Sequence, residues 1–162
     1  MTRLLLAATL AATLGFAAHA APAIHSGPAA SPIAESVEVP AGADIIFLSG
    51  VIAPVIDKSA PAGTAAAYGD TTTQAVNIFK LMKERLAAKG LGLGDIVMMH
   101  IYMAPDPTKG GRMDFAGMMA GYTQFFGTPE QPNKPARSTV EVAGLVAPGV
   151  AMEIDAEAAR TK

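Results

Sequence analysis

The sequence predicts an α+β domain, with one sheet and two helices packed on a single face. Three observations carry this reading. Segments 70–89 and 113–126 repeat apolar residues at helical spacing. Segments 44–52 and 96–103 are short apolar runs bounded by turn residues, as strands are. Two more strand patterns, 135–142 and 150–156, follow the second helix. With a short strand at 34–39, the order is strand, strand, helix, strand, helix, strand, strand, which layers as α+β.

The first 20 residues stand apart from the fold. Arg3 precedes an apolar run over 4–18, and Ala18-His19-Ala20 has the small-x-small form of a cleavage site. These features predict a secretory signal peptide over 1–20, cut after Ala20, and a secreted or periplasmic protein. The run falls short of the roughly 20 apolar residues a spanning helix needs. No later stretch reaches that length without charges or Gly and Pro, so no membrane association is expected once the signal is removed. Residues 21–33, rich in Ala, Pro, Ser and Gly, are expected to be a loose leader. Residues 34–162 then form a single domain.

Each element has a local reason. A turn at Pro40-Ala41-Gly42 separates the first strand from 44–52, where Ile45-Ile46-Phe47-Leu48 runs apolar without alternation. Such a strand suits burial on both faces. Residues 53–69 carry Pro and Gly breakers and read as a loop. In the helix over 70–89, Ala75, Ile78, Phe79, Met82 and Leu86 form the apolar stripe. Thr71 and Gln74 suggest a capping box at its start, and Gly90 suits its end. The run Gly90-Leu91-Gly92-Leu93-Gly94 follows a helix and precedes a strand, the wrong context for a phosphate-binding loop, so it reads as a helix stop and turn. Segment 96–103 is a second apolar strand, and 104–111 a polar turn region. In the helix over 113–126, Phe115, Met118, Met119, Tyr122 and Phe125 form the apolar side; Gly117 and Gly121 weaken it. Residues 129–135 form a loop.

Two helices cover one face only, yet the strands at 45–48 and 96–103 are apolar on both. The second face needs a cover, and another copy of the chain supplies it most simply. A homo-oligomer is therefore expected.

Composition narrows the function. The chain has 12 Lys and Arg against 14 Asp and Glu, a formal charge of −2, with no basic run. Phosphate binding draws on clustered cations, so nucleic acid is not the expected partner. With no cysteine there is neither disulfide nor thiol nucleophile. His25 and His100 show no metal-ligand spacing, so no metal is expected and His100 reads as a core or interface histidine. No Ser-His-Asp arrangement is supported.

The C-terminal strands carry the strongest chemical signal. If 135–142 and 150–156 pair as a hairpin, Arg137 and Glu153 share one small surface. Arg137 offers a planar fork of donors suited to a carboxylate, or a surface or interface ion pair. Alternation puts Met152 and Ile154 on one face and Glu153 and Asp155 on the other, the one without helices. There Glu153 serves either acid–base chemistry or an interface salt bridge, with Arg137 itself as one candidate partner.

The stretch Pro135-Ala136-Arg137-Ser138-x-Val140-Glu141-Val142, followed by Glu153-Ile154-x-Ala156, resembles the C-terminal signature of the Rid/YjgF family of reactive-intermediate imine deaminases, also called endoribonuclease L-PSP-like. Leu48-Ser49-Gly50, Thr73-Gln74 with Asn77, and Leu93-Gly94-Asp95-Ile96-Val97 with Ile101-Tyr102-Met103 agree in order, over about residues 28 to 158. The resemblance implies a chorismate-mutase-like fold and a homotrimer with sites between subunits, without cofactor. It implies that Arg137 binds a substrate carboxylate, that Glu153 positions water for attack on an imine carbon, and that Ser49, Gly50 and Thr139 complete the substrate-binding set. The products implied are ammonia and a 2-oxo acid; a homotrimer that only binds small carboxylated ligands is the alternative. The chain departs from the best-known subgroup at Ile33 (usually Tyr), Met119 (Asn), Val51 (Gln) and Thr139 (Cys), which makes the pocket more apolar.

Overall fold

The computed structural model describes residues 21–161; the expected signal peptide over 1–20 lies outside them. The organising strand is β4, counted in chain order after β1 (Ile24–Ser26), β2 (Ser36–Glu38) and β3 (Asp44–Ile52). β4 spans Ile96–Met103, with Met99, Ile101 and Met103 buried on one side and Met98, His100 and Tyr102 half-buried on the other. β5 (Ala136–Glu141) pairs with it in parallel and β6 (Met152–Arg160) antiparallel, giving the sheet order β3-β6-β4-β5.

This order corrects the hairpin expected of the last two strands, because β4 lies between β5 and β6. A parallel neighbour needs a crossover rather than a tight turn. The chain between β4 and β5 makes one through α3 (Phe115–Tyr122), and the loop after β5 carries β6 back to the middle of the sheet.

α2 (Thr71–Ala87) and α3 lie on one side of the sheet, as the pattern predicts. α1 (Ala65–Tyr68) is a single turn within the expected loop 53–69. α2 starts differently from the expected capping box: its cap is Asp70, whose carboxylate accepts a bond from Thr73 N at 2.7 Å. Gln74 is 1% exposed and points into the protein instead. Gly90 does stop the helix, at φ 72°, with Leu91 N bonding back to Leu86 O at 3.0 Å. The core centres on Phe79, whose ring meets those of Tyr122, Phe125 and Phe126 at 5.4–5.9 Å between centroids. Full burial of such a side chain contributes about 1.5–3 kcal/mol.

α3 is shorter than the 113–126 expected, and its glycines explain themselves. A Cβ at Gly121 would lie 2.6 Å from the Ala75 Cβ of α2. Thr72 Oγ1 also donates to Gly117 O across the same contact, at 3.0 Å. Residues that weaken an isolated helix thus permit close helix packing.

The leader is more ordered than its composition suggests. β1 pairs antiparallel with β2, and His25 and Lys134 tie it to the loop before β5. A short backbone ladder and three side-chain-to-carbonyl bonds override a Pro- and Gly-rich sequence.

The face opposite the helices is uncovered in one chain. Phe47 is 75% exposed there, and Val140 is exposed beside Tyr102. β3 is therefore buried on its helix side only, at Leu48 and Val51, and not on both faces as its apolar run suggested.

Candidate active site

Arg137 enters β5 directly after Pro135 and Ala136, opposite Met99 of β4. Met99 is fully buried toward the helices, so Arg137 points to that side too. There its guanidinium carbon lies 4.3 Å from the centroid of the Tyr122 ring, and its Nη2 lies 3.3 Å from Met119 Sδ. The stacked ring holds the cation in place.

Three buried polar atoms around this point have no hydrogen-bond partner among the described residues: Arg137 Nη1, Tyr122 Oη and Thr139 Oγ1. Buried donors and acceptors are nearly always satisfied, so orphans of this kind mark a place where a water, a ligand or another chain supplies the partner. Thr139 lies two residues along the same strand and opposite Ile101, hence on the same side as Arg137. Burial pushes the Tyr122 phenol up to about 12, against the opposing pull of the Arg137 charge. Burial likewise lowers Arg137 from its ordinary value. At neutral pH the phenol keeps its proton and the guanidinium its charge, so both are donors.

Glu153 sits elsewhere. It pairs with Tyr102 and Ile52, and the step from Met99 to Tyr102 on β4 reverses the face. Glu153, Asp155 and Glu157 therefore line the open side of β6, away from Arg137. A Cβ at Gly50 would collide with the Glu153 carboxylate, so only glycine leaves it room. Gly50 and the exposed Ser49 lie in a bulge of β3, between the pairs Leu48–Ala156 and Val51–Ile154. Next to them, His100 Nδ1 bonds Asp155 Oδ1 at 2.8 Å, and the Tyr102 phenol is pushed up, first by the Asp155 charge and further by Glu153.

Two half-sites result. Arg137 and Thr139 share one with Tyr122; Glu153, Ser49 and Gly50 share the other. Along β4 the two are offset by three residues, about 10 Å, and β4 itself lies between their strands. Among the described residues, no three His, Asp or Glu side chains gather closely enough to hold a metal ion.

A family model described as Endoribonuclease L-PSP matches residues 28–160. The chain belongs to the Rid/YjgF family. It is 37% identical over 138 residues to Protein DfrA of Myxococcus xanthus, covering 83% of this chain and 92% of that one. It is 34% identical over 139 residues to the 2-iminobutanoate/2-iminopropanoate deaminase of Salmonella typhimurium, covering 85% and 95%. Among solved structures, E. coli TdcF with bound serine superposes with a TM-score of 0.55 at 31% identity, covering 88% of this chain and 94% of that one.

Within this Rid/YjgF chain, two of the departures noted in the sequence fall at the Arg137 half-site. Met119 touches the guanidinium, and Thr139 carries one of the orphaned atoms. Val51 does not: at 2% exposure it belongs to the core of the single chain. Tyr122 escaped sequence reasoning because it falls on the apolar stripe of α3 and reads as packing. Its position three residues after Met119 was the available signal, since buried tyrosine hydroxyls ordinarily find a partner.

Proposed function

We propose that this Rid/YjgF chain is an exported hydrolase of reactive 2-imino or enamine acids, working as a ring of identical subunits. Each site combines Arg137, Tyr122 and Thr139 of one copy with Glu153, Ser49 and Gly50 of the next. The observation that carries the reading is the set of three orphaned polar atoms around Arg137, with the family's expected carboxylate on the other face of the sheet. β5 is one edge of the sheet, while Glu153 lies on β6 beside the opposite edge. A head-to-tail contact therefore brings the half-sites of neighbouring copies together, and such contacts close into rings, here a trimer. The uncovered face with Phe47 supplies the apolar area for it.

In this arrangement Arg137 and the Tyr122 hydroxyl hold the substrate carboxylate. Glu153 orients a water and takes its proton as the oxygen bonds to the imine carbon. That proton passes to nitrogen and gives a neutral carbinolamine. Glu153 then takes the adduct's hydroxyl proton and delivers it to nitrogen, so that the C=O bond forms as the C–N bond breaks, and ammonia leaves with a 2-oxo acid. Positioning and proton handling are sufficient, because an imine carbon is already electrophilic.

One observation favours a second reading, a ring that binds carboxylated ligands without turning them over. Arg137 Nη2 faces the thioether of Met119, where a hydrogen-bonding side chain is usual in the best-known subgroup. One experiment separates the two. Imines are generated in situ from several amino acids with an amino-acid oxidase, and semicarbazide trapping is followed with and without the protein. Hydrolysis predicts faster imine loss that Arg137→Ala abolishes. No acceleration for any amino acid, together with calorimetric binding of 2-oxobutyrate or benzoate, leaves the binder. Light scattering of the mature chain tests the ring, which a monomeric mass excludes. The N-terminal sequence of the exported protein tests cleavage after Ala20.

A further inference from the structure

A cleft of about 600 Å³ opens at the end of the sheet where β4 finishes, and neither half-site lines it. Its volume lies within the range of small-molecule sites. Its walls come from the loop preceding α2, the segment after β4 and the loop between β5 and β6. One buried side chain ties two of these walls together. Gln74 Nε2 donates to Gly69 O at 2.9 Å and to Gly149 O at 3.1 Å, and Gln74 Oε1 accepts from Ala151 N at 2.8 Å. Gly149, at φ 80°, packs its backbone against Thr64, where a Cβ would come within 2.5 Å of the Thr64 carbonyl carbon. The cleft is thus preformed rather than a gap between loose loops.

Its lining has two chemical parts. Met103, Leu145, Val150 and Pro105 make an apolar interior, and Asp70, Asp106 and Asp114 contribute three carboxylates. Asp70 and Asp114 cap α2 and α3, and Asp106 closes a turn. Their Oδ1 atoms take backbone bonds from Thr73, Gly117 and Thr108. The two helix N-termini that would attract an anion are therefore already answered by carboxylates. Lys109, 3.7 Å from Asp114, offsets part of the negative charge.

We propose that this cleft is a second ligand site, taking a small primary amine with an apolar body. The ammonium pairs at the acidic rim to which Asp70, Asp106 and Asp114 contribute, not at a point shared by all three, and the apolar body rests on Met103, Leu145 and Val150. The site is independent of the imine reading, because it shares no residue with Arg137 or Glu153 and selects the opposite charge.

Calorimetry with benzylamine, benzyl alcohol and benzoate tests it on the whole mature chain. Two variants keep the fold while changing the cleft. Asp70→Asn with Asp106→Asn removes two charges but preserves the cap and the turn, since Asn serves both. Gly144→Trp fills the opening; Gly144 has no positive φ, and a Cβ there meets nothing within 4 Å. The expected result is saturable binding of one benzylamine per chain, weaker by about tenfold or more for benzyl alcohol and for the double Asn variant. Benzoate gives no heat at this site. Gly144→Trp loses the binding, whereas Arg137→Ala retains it and thereby separates this site from the anion half-site. Absence of saturable benzylamine binding overturns the proposal, as does equal affinity for the alcohol or for either cleft variant with an unchanged melting temperature.

Discussion

Arg137 and Glu153 leave opposite faces of the same sheet, with β4 between their strands. Arg137 points toward the helices and meets Tyr122, whereas Glu153 lies on the uncovered side next to Gly50. Within one chain the two cannot hold the same small substrate. If both act on one substrate, as proposed, a second copy must supply one of them, a condition set by the alternation of side chains along strands and independent of the exposed apolar face.

That geometry predicts complementation between inactive subunits. Arg137→Ala and Glu153→Gln are each expected to be inactive alone. Mixed rings made by co-expression contain sites with an intact Arg137 from one copy and an intact Glu153 from the next, and random assembly gives about a quarter of sites of this kind. Imine hydrolysis in the mixture is expected near that fraction of wild type. A mixture as inactive as its components sinks the shared-site arrangement.

Tyr122→Phe separates the ring from the hydroxyl. The ring still supports Arg137, and the lost hydroxyl makes no hydrogen bond among the described residues, so stability near pH 7 is expected to change by under about 1 kcal/mol. Binding of 2-oxobutyrate should weaken several-fold in calorimetry. The alkaline limb is a second readout. The folded phenol titrates near 12, above the ordinary value of 10, so between these values the folded state binds more protons than the unfolded one. Stability contributed by the neutral phenol is present below pH 10 and lost as pH rises toward 12. Urea unfolding at pH 9 and pH 11.5 is expected to show a smaller alkaline loss in Tyr122→Phe, by at most about 2 kcal/mol. Equal losses in the two proteins contradict this.

Gly50→Ala adds one methyl group where the Glu153 carboxylate lies. The backbone there is not left-handed, so the fold accepts alanine, but the carboxylate must move. A shift of about 1 Å at a reacting group costs on the order of 10²-fold in rate. The expected outcome is a kcat loss of that order in the trapping assay with a melting temperature within a few degrees of wild type. Unaltered kcat removes Glu153 from the reaction.

Gly121→Ala raises helix propensity and is nevertheless expected to destabilise. Its Cβ would meet that of Ala75 at 2.6 Å, and overpacking of this kind costs about 1–3 kcal/mol. Denaturant titration checks the sign, since an exposed helical glycine would instead give a gain.

Much of the fold is legible in the residues. β3 and β4 begin and end where their apolar runs do, and Gly90 stops α2. The boundaries that shifted have local competitors. Asp70 outbids Thr71 for the cap because its carboxylate reaches Thr73 N, and that frees Gln74 to tie the loops around the cleft. β1 takes its partner from residues ten or more positions away, which no local pattern in the Pro- and Gly-rich leader announces. The candidate set Arg137, Thr139, Ser49, Gly50 and Glu153 comes from a motif, but the mutual placement of these residues does not.

The sequence by itself determined the α+β class, the helix-covered face and the uncovered face, because periodicity and residue type are local properties, and it supplied the candidate residues of the site through a motif. Only the tertiary structure decided that β4 separates β5 from β6, that Tyr122 rather than Glu153 is the neighbour of Arg137, and that three buried polar atoms there lack partners. Strand order is a long-range choice, set by which edges pair after the crossover through α3. Moving one strand between two others changes which side chains meet without altering a single residue of the pattern.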